Sequence, residues 1–339
     1  MVVQTLMPAS SDDFMQAAIN AAQQIELAQD VNPRVGAVLV NDQHQIVATG
    51  FHQGSGTVHA EVDAISKVES ANGLTLYTTL EPCNATGKQG PCSQAIVEAG
   101  IRRVVIGQLD PNKKMSGGLE YLYQHDVDVE FGILEKECVE LNKSWNYAHK
   151  HGRPWVVWKI ATTQDGFIAA NDGKPLSITG PEAKSDVQWL RSTVGAIVTG
   201  TGTALIDDPQ LTVREMQMKN QPLRVIVGSR DVPSSAKLFS SEKPALHLKG
   251  DLKDVLVRLW EEFGVHRVLI EAGAGIAKSA WQGKLINEVY WYQAPVILGS
   301  GLSAIGDLGI SSLENAHRIS KTEVNRVGLD VLIHFNTDW

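Results

Sequence analysis

The chain has 339 residues, 43% of them hydrophobic and 20% charged, an ordinary globular composition at a length that usually splits into two cores. A formal net charge of -8, with no Lys/Arg-rich run, excludes the basic footprint that holds a phosphate backbone, so no nucleic-acid partner is expected. There is no basic stretch leading into an apolar signal core, no apolar run of membrane-spanning length and no disulfide framework among three cysteines, so no membrane association and a cytoplasmic setting are expected.

In chain order, residues 11 to 30 carry small and apolar side chains at helical spacing (Phe14, Met15, Ala18, Ile19, Ala22), behind Ser10, Ser11 and Asp12 as caps. Two β-rich runs, Val35 to Val40 and Gln45 to Phe51, are split by the turn residues Asn41 and Asp42. A helix opening near His59, a strand over Leu74 to Thr79, a cysteine-bearing loop and a helix from Cys92 to Ala99 come next. Strands Arg103 to Gly107 and Val127 to Phe131 flank a further short helix. This alternation predicts an α/β sandwich over residues 1–150, with His59 and the cysteine loop at helix starts on one edge of its sheet.

Within that half, V-H-A-E-V places His59 two residues before Glu61, and T-L-E-P-C-N-A-T-G-K-Q-G-P-C supplies Cys83 and Cys92. A His-x-Glu is common by itself. Its combination with two of the chain's three cysteines, each behind a proline, is the H-x-E…P-C pattern of zinc-dependent deaminases. One imidazole and two thiolates leave a fourth tetrahedral position for water, whose pKa the metal lowers to about 7. Glu61 is then the proton carrier and not a ligand. Pro91 and Cys92 open an apolar-periodic stretch, so Cys92 is expected at a helix N-terminus, where the dipole and free N–H groups stabilise a thiolate.

K-H-G-R-P, residues 150 to 154, marks a break, and a second unit over 151–339 restarts with the strand P-W-V-V-W-K-I-A. A helix (Glu182 to Arg191), strands Gly195 to Gly200 and Leu223 to Gly228, a helix (Leu252 to Phe263), a strand (Arg267 to Glu271) and a helix follow. The chain closes on β-rich runs, Glu288 to Ile297 and Gly328 to Phe335. V-L-I-E-A-G-A-G-I-A-K-S reads as a buried strand, a small-residue turn and a helix start, a geometry that offers N–H groups to an anion. It lacks a full G-x-G-x-x-G and also reads as a plain tight turn. T-G-T-A-L-I-D-D-P-Q-L-T-V-R places Thr203, Asp207, Asp208 and Arg214 in a loop-like segment, and Arg191 and Arg214 are candidates to clamp a phosphate or are plain surface charges.

The ordered set N-P-R-V-G-A-V, H-A-E-V, T-L-E-P-C…G-K-Q-G-P-C, K-I-A-T-T-Q-D-G, I-T-G-P-E-A, I-D-D-P-Q-L-T-V-R and I-E-A-G resembles the bifunctional riboflavin-biosynthesis deaminase/reductases along nearly the whole chain. That resemblance implies a cytidine-deaminase-like α/β/α sandwich followed by a dihydrofolate-reductase-like α/β domain. It also implies zinc-dependent deamination of a phosphorylated pyrimidine, NADPH-dependent reduction of its ribosyl group to ribityl, and a homodimer or higher homo-oligomer. Carried onto matching positions, it makes His59, Cys83 and Cys92 zinc ligands, Glu61 and Asp207 catalytic, and Asn32, Lys88, Arg191, Leu211, Arg214 and Glu271 substrate contacts. Ala161, Thr203, Asp207, Ser229, Gly273, Ala274, Gly275 and Ile276 fall to NADPH. Two departures stand out. Ala85 replaces the family's histidine after the first cysteine, and Pro175-Leu176-Ser177 replaces its Ser-x-Trp. These leave open a paralogue whose zinc deaminase acts on a related pyrimidine and whose second half is inert or redirected. A non-catalytic scaffold has no use for Glu61, and a nucleic-acid editor conflicts with the acidic composition.

Overall fold

Strand β1 (Gly36–Val40) is buried at every position because helices cover both of its faces. Val38 and Val40 pack with Phe14, Met15 and Ile19 of α1 (Ser11–Ala22), while Ala37 and Leu39 pack with Ala60 and Ala64 of α2 (Ala60–Ile65). That is the two-residue side-chain period of a strand at work. The computed structural model describes residues 10–24, 32–85, 90–172, 177–218, 220–240 and 243–339, and the chain divides into two compact units, 1–150 and 151–339.

The first unit continues with β2 (Ile46–Phe51), β3 (Thr75–Leu80), α3 (Cys92–Glu98), β4 (Arg103–Gln108), α4 (Gly118–Gln124), β5 (Asp128–Phe131), α5 (Glu135–Leu141) and α6 (Lys143–His151). Its sheet runs β2-β1-β3-β4-β5, antiparallel at β2-β1 and β1-β3 and parallel from β3 to β5. A capping box starts α1: Asp13 N–H donates to Ser10 Oγ and Ser10 N–H to the Asp13 carboxylate. Helix α1 closes at Ala22, short of the stretch to residue 30, and residues 25–31 lie outside those described. A Cβ on Gly50 of β2 would stand 2.2 Å from the Ala60 carbonyl oxygen. The absence of a side chain there lets the start of α2 lie against the sheet.

The second unit contains β6 (Trp155–Thr163), β7 (Phe167–Ala169), α7 (Pro181–Ser192), β8 (Ala196–Gly200), α8 (Thr201–Asp207), β9 (Leu223–Val227), β10 (Leu246–Leu248), α9 (Leu252–Phe263), β11 (Arg267–Ile270), α10 (Ala274–Gln282), β12 (Glu288–Ala294), β13 (Leu302–Ser303), β14 (Glu323–Val327) and β15 (Asp330–Asn336). Eight strands form a sheet in the order β10-β9-β8-β11-β6-β12-β15-β14, parallel through β12 and antiparallel thereafter. Residues 201–207, read as loop-like from the sequence, are a helix. The Asp-Asp-Pro turn signal is real but acts only at the end of that helix, where Asp208 turns left-handed (φ 40°) ahead of Pro209.

One buried carboxylate ties four strands of this sheet together. Glu288 accepts from Trp155 Nε1 at 2.8 Å and Arg267 at 3.0 Å, and pairs with His334 Nε2 at 3.0 Å. Burial opposes its charge, but these partners hold its pKa at about 2 against an ordinary 4.5, and the same contact raises His334 above 6.5. The glutamate's contribution is therefore complete above about pH 4.5 and is lost as the pH falls toward 2. The histidine's is complete below about 6.5 and is lost as the pH rises through its elevated folded value. Replacing Glu288 by Gln, which strands the Arg267 charge, is expected to cost ~3 kcal/mol in urea unfolding, most fully between pH 4.5 and 6.5. An unchanged midpoint in that window would show that the network is energetically idle.

Candidate functional site

Two connections of the first unit, β2 to α2 and β3 to α3, bring its candidate metal ligands together. His59 is the N-cap of α2, and Glu61 lies in the first turn of that helix, 3% exposed. Cys83 follows β3, and Cys92 is the first residue of α3, behind the N-cap Pro91. His59 Nδ1 stands 3.1 Å from Cys92 Sγ and 3.5 Å from Cys83 Sγ, and the three donor atoms lie within 4.8 Å of one another. A tetrahedral zinc with ordinary Zn–N and Zn–S bonds sets a nitrogen and a sulfur roughly 3.6 Å apart. The donors thus fit zinc in type and spacing.

Cys92 stands at the start of α3, as expected, and its N–H donates to Cys83 Sγ at 3.4 Å, so the same helix start also supports the second sulfur. Hydrogen bonding to Cys92 and His59 pulls the Cys83 thiol below its ordinary value, while contact with that sulfur and burial drive Cys92 upward. Burial pushes Glu61 up to about 7, with the Cys83 charge adding to the effect.

The loop carrying Cys83 is braced by a residue the motif reading did not use. Buried Glu81 accepts the N–H groups of Asp110, Gly117 and Leu119 at 3.0 to 3.1 Å, which locks the segment between β4 and α4 onto the end of β3. Asn84 N–H donates to the Met115 carbonyl, and its side chain accepts from Ser93 Oγ at 2.8 Å. A Cβ on Gly118 would fall 1.8 Å from the Pro82 carbonyl oxygen.

Asn32 reaches the same site. Its Nδ2 lies 2.9 Å from Nε2 of buried His52, whose ring packs edge-on against His59 at 5.3 Å. His52 Nδ1 faces the Val58 carbonyl at 3.0 Å, which takes its proton and leaves Nε2 to accept from Asn32. His52 was missed because a lone histidine at a strand end carries no spacing signal. Lys88 lies outside the described residues, as do Pro175 and Leu176, and Ala85 is half-buried beside Asn84.

In the second unit a cavity of about 940 Å³ opens at the C-terminal ends of β8, β9 and β11, where ligands collect in open α/β sheets. Thr203, Asp207, Ser229, Gly273, Ala274, Gly275 and Ile276 all line it. Ser177 lines it too, while Ala161 sits on β6 opposite Tyr292 and is not part of its wall. Gly273 N–H donates to Thr203 Oγ1 at 3.1 Å, which joins the starts of α8 and α10. A Cβ on Gly275 would meet nothing within 4 Å, so the backbone at the start of α10 is open to a ligand. An elongated anionic cofactor fits such walls, with Ile168, Ile206, Ile276 and Leu302 supplying apolar surface. Asp207, at the end of α8, is held above the ordinary carboxyl value by burial.

The remaining candidates separate. Arg191 donates to both oxygens of Glu271, at 2.6 and 2.9 Å, and to the Thr212 carbonyl, so its guanidinium is spent inside the protein. Burial disfavours the Glu271 charge, yet Arg191 and Lys159 together hold it below its ordinary value. Lys159, which burial lowers, stands next to that pair and was not singled out in the sequence, where it reads as one charge in an apolar strand. Arg214 is exposed: its guanidinium donates to Gln210 Oε1 at 3.1 Å and its backbone N–H to Gln188 Oε1 at 2.9 Å. Leu211 holds a left-handed backbone (φ 52°) with its side chain in the core, 3% exposed, so only its main chain is available to a ligand.

Family models match both halves. Residues 8–108 match the cytidine and deoxycytidylate deaminase zinc-binding region, and residues 154–333 match the RibD C-terminal domain. The riboflavin biosynthesis protein RibD of Aquifex aeolicus is 36% identical, covering 95% of this chain and 97% of its own. Acinetobacter baumannii RibD superposes with a TM-score of 0.89 at 33% identity over 97% of this chain and 99% of that one. A Thermotoga maritima diaminohydroxyphosphoribosylaminopyrimidine deaminase/5-amino-6-(5-phosphoribosylamino)uracil reductase gives 0.83 at 32% identity over 96% and 98%.

The bracing around Cys83 leads to a test away from the ligands. A Gly118→Ala side chain must displace the Pro82 backbone and with it Cys83, so zinc should be lost to a chelator at least tenfold faster than from the unaltered protein. Gly90→Ala, whose Cβ meets nothing within 4 Å, should retain zinc normally. Equal retention by both variants would contradict the brace.

Proposed function

The chain belongs to the RibD family of bifunctional riboflavin-biosynthesis enzymes, and we propose that the His59/Cys83/Cys92 cluster with Glu61 carries its deamination, and the cavity at β8, β9 and β11 its reduction. The enzyme removes an amino group from diaminohydroxyphosphoribosylaminopyrimidine by hydrolysis and reduces 5-amino-6-(5-phosphoribosylamino)uracil, using zinc and NADPH. The comparisons lend no support to a redirected or inert second half. The observation that carries the assignment of residues is the triangle of donors with buried Glu61 in the first turn of the helix that His59 caps.

Bound by His59, Cys83 and Cys92, zinc supplies the Lewis acidity that makes water a nucleophile at neutral pH. Glu61, held near 7, exists both as carboxylate and as acid at that pH. It therefore takes a proton from the attacking water and passes it to the departing amine, so that amidine and water leave as carbonyl and ammonia. Asn32, oriented by His52, presents an amide to the edge of the pyrimidine.

NADPH supplies the hydride in the second reaction. The cavity of the second unit aligns the cofactor through the starts of α8 and α10, and Asp207, whose burial favours its protonated form, is the proposed donor to the ribosyl oxygen as the ring opens. Arg191 acts by fixing the Glu271 carboxylate toward substrate. The exposed Arg214 guanidinium is left to take the phosphate. A homodimer or larger homo-oligomer in a reducing cytoplasm completes the proposal. Strand β14 presents an open edge with Val324 64% exposed, Leu329 in the turn that follows is 73% exposed, and none of the three cysteines is in a disulfide. Among the described residues no helix is long and apolar enough to cross a membrane.

Ammonia release from the diaminopyrimidine substrate should fall roughly 100- to 10,000-fold in Glu61→Gln, with zinc content and NADPH oxidation on the deaminated substrate unchanged. Full ammonia release by that variant, or NADPH oxidation lost together with it, would overturn the division of labour. Light scattering of the purified protein should give at least twice the chain mass, and a monomer at micromolar concentration would contradict the assembly.

A further inference from the structure

One wall of the cofactor cavity is not built by the main sheet. Ile168, Ala169 and Ala170 come from the loop after β6 and Leu302 from a loop more than a hundred residues later, and the two meet as the small β7-β13 sheet. Ala169 pairs with Leu302 and Phe167 with Ser303. A ribbon of three residues against two cannot hold itself closed in water.

Ile168 and Ala304 pack into the core, the Ala304 N–H donates to the Gly166 carbonyl at 3.2 Å, and Asn171 reaches Ser300 Oγ at 3.2 Å, but the densest set of bonds between the two loops is gathered by Asp165. Its Oδ1 accepts from Thr163 Oγ1 at 2.6 Å, its Oδ2 accepts the Gly299 N–H at 2.7 Å, and the Leu298 N–H bridges both oxygens at 3.1 and 3.2 Å. Thr163 Oγ1 accepts the Phe167 N–H at 3.0 Å in turn, and Gln164 N–H donates to the Val296 carbonyl at 2.8 Å. Three separate donors converge on one side chain, an arrangement that only an acceptor with two charged oxygens completes. These bonds hold the carboxyl below its ordinary value. Asp165 is solvent-exposed and lines neither site, so neither reaction has a use for its charge.

We propose that Asp165 is a positioning residue for NADPH: it staples the 296–300 loop to the 163–167 loop and so keeps the β7-β13 flap in place as a preformed wall of the cofactor cavity. This inference rests on the reading of that cavity as the NADPH site. With the staple cut, the flap spends part of its time away from the cavity, and the apparent affinity drops in proportion to the competent fraction. An amide at position 165 turns an NH2 toward one of the three donors, which is why Asn breaks the staple although its shape is nearly the same.

The test is NADPH binding to the full-length protein, followed by nicotinamide fluorescence, with hydrogen exchange at Leu298 and Gly299 read in parallel. In Asp165→Asn the Kd for NADPH should rise roughly tenfold, the size of one charge-assisted hydrogen bond, and the two amides should exchange faster, with the melting temperature little changed. In turnover, KM for NADPH should rise while kcat at saturating cofactor is retained, a split that loss of general stability does not produce. Thr163→Val removes the hydroxyl donor from the same staple and should move Kd in the same direction, and it carries the test should Asp165→Asn not fold. Asp307→Asn, whose carboxylate caps only its own turn at Gly309, should bind as the unaltered protein does. Unaltered affinity in Asp165→Asn or Thr163→Val beside a wild type that binds NADPH overturns the staple alone. A wild type that does not bind NADPH overturns the cofactor reading and the staple with it.

Discussion

Two thiol sulfurs 3.1 and 3.5 Å from one imidazole nitrogen, all three atoms within 4.8 Å of one another in a mostly buried corner, are an unstable arrangement for a protein by itself. One sulfur is drawn toward the thiolate and the other away from it, because burial and the neighbouring sulfur both oppose a second negative charge in that space. A divalent cation resolves the conflict, accepting both sulfurs as thiolates and the imidazole as a neutral donor. The neighbouring structure bears out that arrangement. Gly50 admits the start of α2, Glu81 gathers three backbone N–H groups to hold the loop of Cys83, and Gly118 yields its side-chain space to the Pro82 backbone. Glu61 is buried by the same packing, and burial is what raises its proton affinity.

The second unit solves a different problem. Its cofactor brings its own reactive bond, so the protein supplies shape and fixed polar groups more than soft ligands. Parallel strands β8, β9 and β11 end together, the helices that follow two of them turn backbone N–H groups toward one cavity, and a buried ion pair between Arg191 and Glu271 stands at the end of β11. At the other end of the strands, Glu288 joins the first residues of β6 and β11 through Trp155 and Arg267. Each pair is shielded enough for a broken partner to be costly, which keeps the sheet rigid under the cavity.

Much of this was legible in the residues. The His59, Glu61, Cys83 and Cys92 pattern identified the cluster because few arrangements of soft donors and one acid serve any purpose but a metal and a proton. Buried strands such as Val156 to Ile160 and Ile197 to Thr199 were readable as apolar runs bounded by turns. Elements without such contrast were not. Strand β14 is exposed on both faces, so K-T-E-V-N-R-V carries no alternation, and α8 was hidden by the turn signal at its own end. His52, Glu81, Lys159 and Asp165 were invisible for a common reason. Each acts through partners distant in sequence or through backbone N–H groups, which have no letter in the sequence.

The central claim is a cation held by one nitrogen and two sulfurs of this chain with a position left for solvent. X-ray absorption at the zinc edge of the purified enzyme measures that shell directly. The expected spectrum has two sulfur scatterers at about 2.3 Å and two nitrogen or oxygen scatterers at about 2.0 to 2.1 Å, one of the latter exchanging with added ligand. A shell without sulfur, or one filled by four protein ligands with nothing exchangeable, would contradict the account.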